Sequence, residues 1–229
     1  MSQVVALARM RFGGYARSQR VLAPVIATLC ILGVLHNGSP STATEAYGFS
    51  AIILFGVFGW QAKLAFDTEP DSQRQLSFLA VGSPRRDVAA GLLSAAATAI
   101  PTILVALVAP WLVGAIAVGD SSVGAAVLLG LWLHVTAAIP AIAIGAIASR
   151  PITRTRGWGV TALVGGTVLV LVLGVANAPG IRWLVPQLLG LMRSAQRGDV
   201  VVALLLTVHA LVWSGLLFLG YFGLRNRRR

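Results

Sequence analysis

The chain has 229 residues, 57% of them hydrophobic and only 11% charged, with a mean hydropathy of +0.83 and a net charge of +11. An ordinary soluble domain, in which about a quarter of residues are charged, is excluded. So is a nucleic-acid binder: the basic residues fall in small groups between apolar stretches and form no contiguous basic face. What remains is an all-α polytopic membrane protein, because long apolar stretches satisfy their backbone groups in lipid as helices. The only cysteine, Cys30, lies in an apolar stretch, with no intrachain disulfide partner and no cysteine-rich metal site. Arg supplies seventeen of the eighteen basic side chains, a bias that points to a GC-rich bacterial genome.

Residues 1–20 place Val4, Val5, Leu7 and Phe12 among Arg9, Arg11, Arg17 and Arg20. This pattern predicts an amphipathic helix on the inner membrane surface. No small-residue cleavage site follows the run through Cys30, so the first span is expected to be retained. That span, about 21–36, is short at roughly 24 Å. The turn Asn37-Gly38-Ser39-Pro40 leads to a second span at 47–66, with Lys63 positioned to snorkel at its inner end. The third span, 88–118, is too long for an upright helix, and Pro101 and Pro110 are expected to kink or end it. Gly119-Asp120-Ser121-Ser122 predicts an outer turn. The fourth span is 123–149, the fifth 157–176 and the sixth 200–224, all within a single domain, 1–229.

Residues 177–199 interrupt this pattern. Pro179 and Gly180 break the fifth helix, and Ile181–Met192 is apolar but too short to cross. It is expected to be an outer re-entrant segment, with Ile181, Trp183 and Leu188 as its apolar contacts and Trp183 near the headgroups. Reading it as a seventh span would put the Arg-rich C-terminus outside. With six spans, fifteen of the eighteen basic residues lie on one side, and only Arg182, Arg193 and Arg197 lie on the other. Positive charge is retained in the cytoplasm. The expected location is therefore the cell membrane, with both termini inside.

The inner segment 67–86 carries the clearest local signals. Thr68 or Glu69 can cap a helix, Pro70 suits its first turn, and acidic groups crowd its positive end. Gly82 suits the C-terminal cap, with Pro84 preventing continuation. Leu76, Leu79 and Ala80 share a face, and Phe78 and Val81 lie beside it. Such a helix could rest on lipid, or it could dock on a soluble partner and act as a lever.

In this layout the chain resembles the membrane subunit of a type-2 ABC transporter, an exporter-type permease. Glu69, Leu76, Leu79, Pro84 and Arg86 fill the roles of the family's acidic start, Leu-rich middle and small-Pro-x-Arg exit. Two places depart from the pattern. Asp71-Ser72 stand where the family often has Gly, and Gly91-Leu92 where it often has Gly-Lys. The resemblance implies coupling to a separate ABC ATPase subunit through Glu69, Asp71, Arg74, Leu76, Phe78 and Leu79. It also implies pairing with a second copy or a paralogous permease. No Gly-x-x-x-x-Gly-Lys-Ser/Thr loop occurs in the sequence, so ATP belongs to the partner and no cofactor or catalytic residue is expected here.

His134 and His209 are candidate intramembrane groups, each better explained as a neutral histidine bonded between helices than as a metal ligand. The stripe Ala141-x-x-x-Gly145-x-x-x-Ser149 predicts a close helix seam. An ion-coupled carrier would need buried Asp, Glu or Lys, which the spans lack by this reading. A non-transporting scaffold is the remaining alternative. The charge bias itself makes a prediction: cysteines introduced at Ser41 and Arg229 are labelled from opposite sides of the membrane. Labelling of both from one side rejects the six-span map.

Overall fold

The computed structural model describes residues 2–117, 122–176 and 179–227, with the backbone alone for Asp71, Arg156 and Pro179. The regular elements among them are α1 (Gln3–Arg17), α2 (Leu22–Leu35), α3 (Ala43–Phe66), α4 (Asp71–Val81), α5 (Pro84–Leu112), α6 (Val123–Ile147), α7 (Arg150–Thr153), α8 (Arg156–Val175), α9 (Pro179–Arg182), α10 (Leu188–Gln196) and α11 (Val200–Arg227). Five segments are long and apolar enough to cross a membrane: α3, α5, α6 with α7, α8 and α11. A sixth crossing is reached only if α1 and α2, bent by 74°, count together. The chain is thus all-α and of the multi-pass membrane type.

Side-chain caps explain several starts. Thr42 accepts from Glu45 N–H, Ser122 from Ala125 N–H and Thr155 from Trp158 N–H, each satisfying a donor that the first helical turn leaves orphaned. At the predicted first span, α2 has only 14 residues, about 21 Å at 1.5 Å each, and is not long enough to cross by itself. The third differs from expectation. α5 begins at Pro84, because proline fits the first helical turn, and runs unbroken through Pro101 and Pro110 to Leu112. Its end is tied to the first loop by paired backbone bonds of 2.9 Å, from Ser41 N to Ala115 O and from Ala117 N to Ser41 O. The predicted turn at 119–122 lies outside the described residues except for Ser122, as do Asn177, Arg228 and Arg229.

The core is the α3–α6 pair. A Cβ placed on Gly145 would lie 2.4 Å from Gly59 O and 2.8 Å from the Ala62 Cβ, so these helices meet nearly backbone to backbone. The small-residue stripe is therefore a packing seam. Tyr47, Leu54, Phe55 and Phe58 fill the space around it and are fully buried. Tyr47 Oη donates to Leu107 O (2.8 Å) and accepts from Trp111 Nε1 (2.6 Å), fastening α3 to α5. By contrast, α2, α8 and α11 leave rows of Leu and Val exposed, as lipid-facing helices do.

Overfilling the seam should be costly. Gly145→Val is expected to destabilise by about 1–3 kcal/mol or more, whereas Gly215→Ala, with open space at its Cβ, should not. Thermal unfolding of the two variants in detergent checks this, and equal midpoints would refute the seam.

Candidate functional site

The helix α4 begins at Asp71 and ends at Gly82, whose φ of 66° is the left-handed cap expected of glycine. The predicted capping by Thr68 or Glu69 is not what occurs. The helix has no side-chain cap: Thr68 Oγ1 donates to Leu64 O at 2.7 Å, while the Glu69 carboxylate points inward. Leu76 and Leu79 are 68% and 73% exposed, one turn apart on the outer face of the helix. Phe78 is half-buried, and Ser77 and Val81 form the buried face. Arg74 Nη2 donates to Glu69 O at 3.1 Å and folds back over the entry loop. The Asp71 side chain lies outside the described residues.

Beneath α4 is a buried ionic cluster. Arg11 of α1 donates through Nε to Glu69 Oε2 (2.9 Å) and through Nη2 to Asp87 Oδ1 (2.7 Å), with Nη1 on the Asp87 carbonyl (3.0 Å). The second Asp87 oxygen accepts from Arg225 Nη2 of α11 at 2.6 Å. Arg225 Nη1 donates to Tyr221 Oη at 2.6 Å, and Ser77 Oγ donates to the other Glu69 oxygen. Among the described residues of the cluster, two arginines face two carboxylates. Each of its four charged side chains is at most 6% exposed. Desolvating such ions is expensive and is offset only by close, charge-assisted hydrogen bonds of this kind. Glu69 is therefore an internal anchor of α4 and not a surface charge.

A second buried pair lies nearby. Lys63 Nζ stands 2.5 Å from Asp67 Oδ2, and Asp67 Oδ1 accepts from the Arg150 backbone N–H at 2.7 Å. The expectation that the chain buries essentially no Asp, Glu or Lys is thus corrected. Lys63, Asp67, Glu69 and Asp87 are all buried, near the Arg-rich ends of the long helices, where each carboxylate finds a cationic partner.

At the opposite ends, Ile181–Met192 forms no single helix. The short helices α9 and α10 flank a turn at Trp183–Gln187. Ile181 and Trp183 are exposed, while Leu188 is buried with Leu191 and Met192. Met192 packs against Gly48 of α3. His209 Nε2 lies 3.0 Å from Trp183 O and Trp213 Nε1 donates to Leu184 O at 2.8 Å, so α11 supplies donors to two carbonyls of irregular chain. A carbonyl only accepts, so His209 Nε2 carries the proton of this bond. His134 is buried between α6 and α3, with Nδ1 donating to Gly130 O (2.7 Å) and Nε2 against Ser50 Oγ (3.0 Å). Both histidines tie segments together. Among the described residues, no group of three His, Cys, Asp or Glu could hold a metal.

The candidate residues thus divide in two. Leu76 and Leu79 lie on an exposed face, whereas Glu69 and Arg74 hold that face in place. Arg11, Ser77, Asp87 and Arg225 were not singled out from the sequence. The one local signal was an acidic residue directly after Arg85-Arg86 at the entry to a span. Comparison with protein families, with curated proteins and with solved structures finds no match.

Removing one member of a buried ion pair strands its partner. Asp87→Asn is expected to cost about 3–5 kcal/mol. Arg86→Gln, which removes only an exposed bond to Gln3, should stay within about 0.5 kcal/mol. Chemical denaturation in detergent measures both, and a wild-type midpoint for Asp87→Asn would show that the cluster does not hold the fold.

Proposed function

We propose that the chain is the membrane subunit of an ATP-driven exporter of the type-2 ABC kind, inserted in the cell membrane with both termini inside. The observation that carries this reading is α4. It is an eleven-residue helix between two long apolar helices, with two leucines exposed on its outer face and a buried ionic cluster behind it. An exposed leucine pair gains by entering a partner's groove, each fully buried side chain contributing about 1.5–3 kcal/mol. The cluster supplies stiffness: through Arg11 and Asp87, a push on α4 reaches α1, α5 and α11 together.

In this reading Leu76 and Leu79 are the anchors on a separate ATPase subunit, Phe78 borders them, and Asp71 and Arg74 orient the contact. Glu69 acts behind the contact. ATP binds on the ATPase, and a second copy or a paralogous permease completes the pathway. The buried carboxylates are engaged by cations, which disfavours ion-coupled transport. The mainly apolar spans favour a hydrophobic or amphiphilic cargo. The outer segment is a re-entrant hairpin whose turn, satisfied by His209 and Trp213, reaches about 14–20 Å along α11 from Val200.

The test uses the full chain co-expressed with an ATPase encoded beside it. Leu76→Asp with Leu79→Asp should abolish co-purification, because a carboxylate is costly to leave in a dry groove. The same change should stop ATP-dependent export of a fluorescent amphiphile from inside-out vesicles while leaving the thermal midpoint unchanged. Full ATPase recovery with normal export would defeat the proposal.

A further inference from the structure

We propose that the cleft between α3 and α8 binds one anionic phospholipid from the leaflet on the Arg-rich side. The site is independent of any exporter role and requires only that the chain spans a membrane. The cleft has a volume of about 690 Å³. Its walls are Gly56 and Trp60 of α3 and Val164 and Val168 of α8, and its far end carries Arg20, Lys63, Asp67 and Arg150.

Three features select an amphiphile with a negative headgroup. The first is charge. Among the described lining residues, three are cations and one is a carboxylate. Asp67 is already occupied by Lys63 Nζ at 2.5 Å and by the Arg150 N–H at 2.7 Å, so it does not repel an incoming anion fully. The second is polarity along the cleft. The charged groups cluster at one end, and the walls beyond Trp60 are apolar except for Thr167, whose methyl group faces Gly56. The third is length. Gly56 to Asp67 spans eleven residues of helix rise, about 16 Å, close to half of the ~30 Å hydrocarbon core. One leaflet's acyl chain fits that reach, with its phosphate beside the cations. Basic pockets between membrane helices on the positively charged side have the chemistry to hold such headgroups. A free phosphate would use the same cations but not the apolar walls.

The test is native mass spectrometry of the full-length detergent-solubilised protein, titrated with dioleoyl phosphatidylglycerol, dioleoyl phosphatidylcholine or inorganic phosphate. One phosphatidylglycerol is expected to remain bound, about tenfold more tightly than phosphatidylcholine. Arg20→Gln with Arg150→Gln should erase that preference, with the Arg150 backbone bond to Asp67 left in place. Val164→Trp, which fills the wall without altering charge, should lose the lipid while keeping the thermal midpoint. If the arginine double variant proves less stable, the Val164→Trp result decides alone. Equal retention of the two lipids, unaltered binding in Val164→Trp, or displacement of the lipid by millimolar phosphate would each overturn the proposal, the last by identifying a simple anion site.

Discussion

Asp87 joins parts of the chain that are far apart in sequence. Its carboxylate lies between Arg11, 76 positions earlier, and Arg225, 138 positions later. It is 1% exposed, so neither arginine can be exchanged for water. A carboxylate in such a place is tolerable only while both guanidinium groups are present. The positions of α1, of the start of α5 and of the end of α11 are therefore set together. Glu69 extends the constraint to α4 because Arg11 bonds both carboxylates.

The two halves of the bundle are held by different physics. At the Arg-rich end, charge pairs with directional hydrogen bonds specify which helix lies where. In the middle, the α3–α6 seam relies on the absence of side chains, with Gly145 set against the Gly59 carbonyl. Apolar contact alone does not discriminate between helices in lipid, since the tails are equally apolar. Close packing and polar pairing supply that discrimination. Where neither operates, along α2 and the outer faces of α8 and α11, Leu and Val side chains are left open.

Much of this was legible in the sequence. Hydropathy located the long helices, and the turn chemistry at Gly82 marks a real boundary. The shortness of α2 and of the segment after Pro179 could be read from apolar run length alone. The ionic cluster could not. Arg11 sits between Arg9 and Arg17, and Arg225 opens the terminal arginine run, so composition gives no sign that these two turn inward. Glu69 stands where a capping acid would stand, and the same residue type serves either role. Only the tertiary approach of α1 to α5 decides between them. The prolines of α5 are a mixed case: the helix continues through Pro101 but ends at Leu112, two residues past the buried Pro110 and short of the expected 118.

The bonds from His209 and Trp213 to the Trp183 and Leu184 carbonyls bear on biogenesis. A chain made from its N-terminus delivers those two carbonyls well before the helix that satisfies them, 26 and 29 residues later. Bare carbonyls cannot wait in hydrocarbon, where each unmet group costs several kcal/mol or so. In the proposed re-entrant arrangement, the turn would therefore stay hydrated until α11 has entered the bilayer, and the two would then move in as a unit. The last helix would set the depth of the segment before it, and a truncation ahead of His209 would leave that segment on the membrane surface, open to proteases.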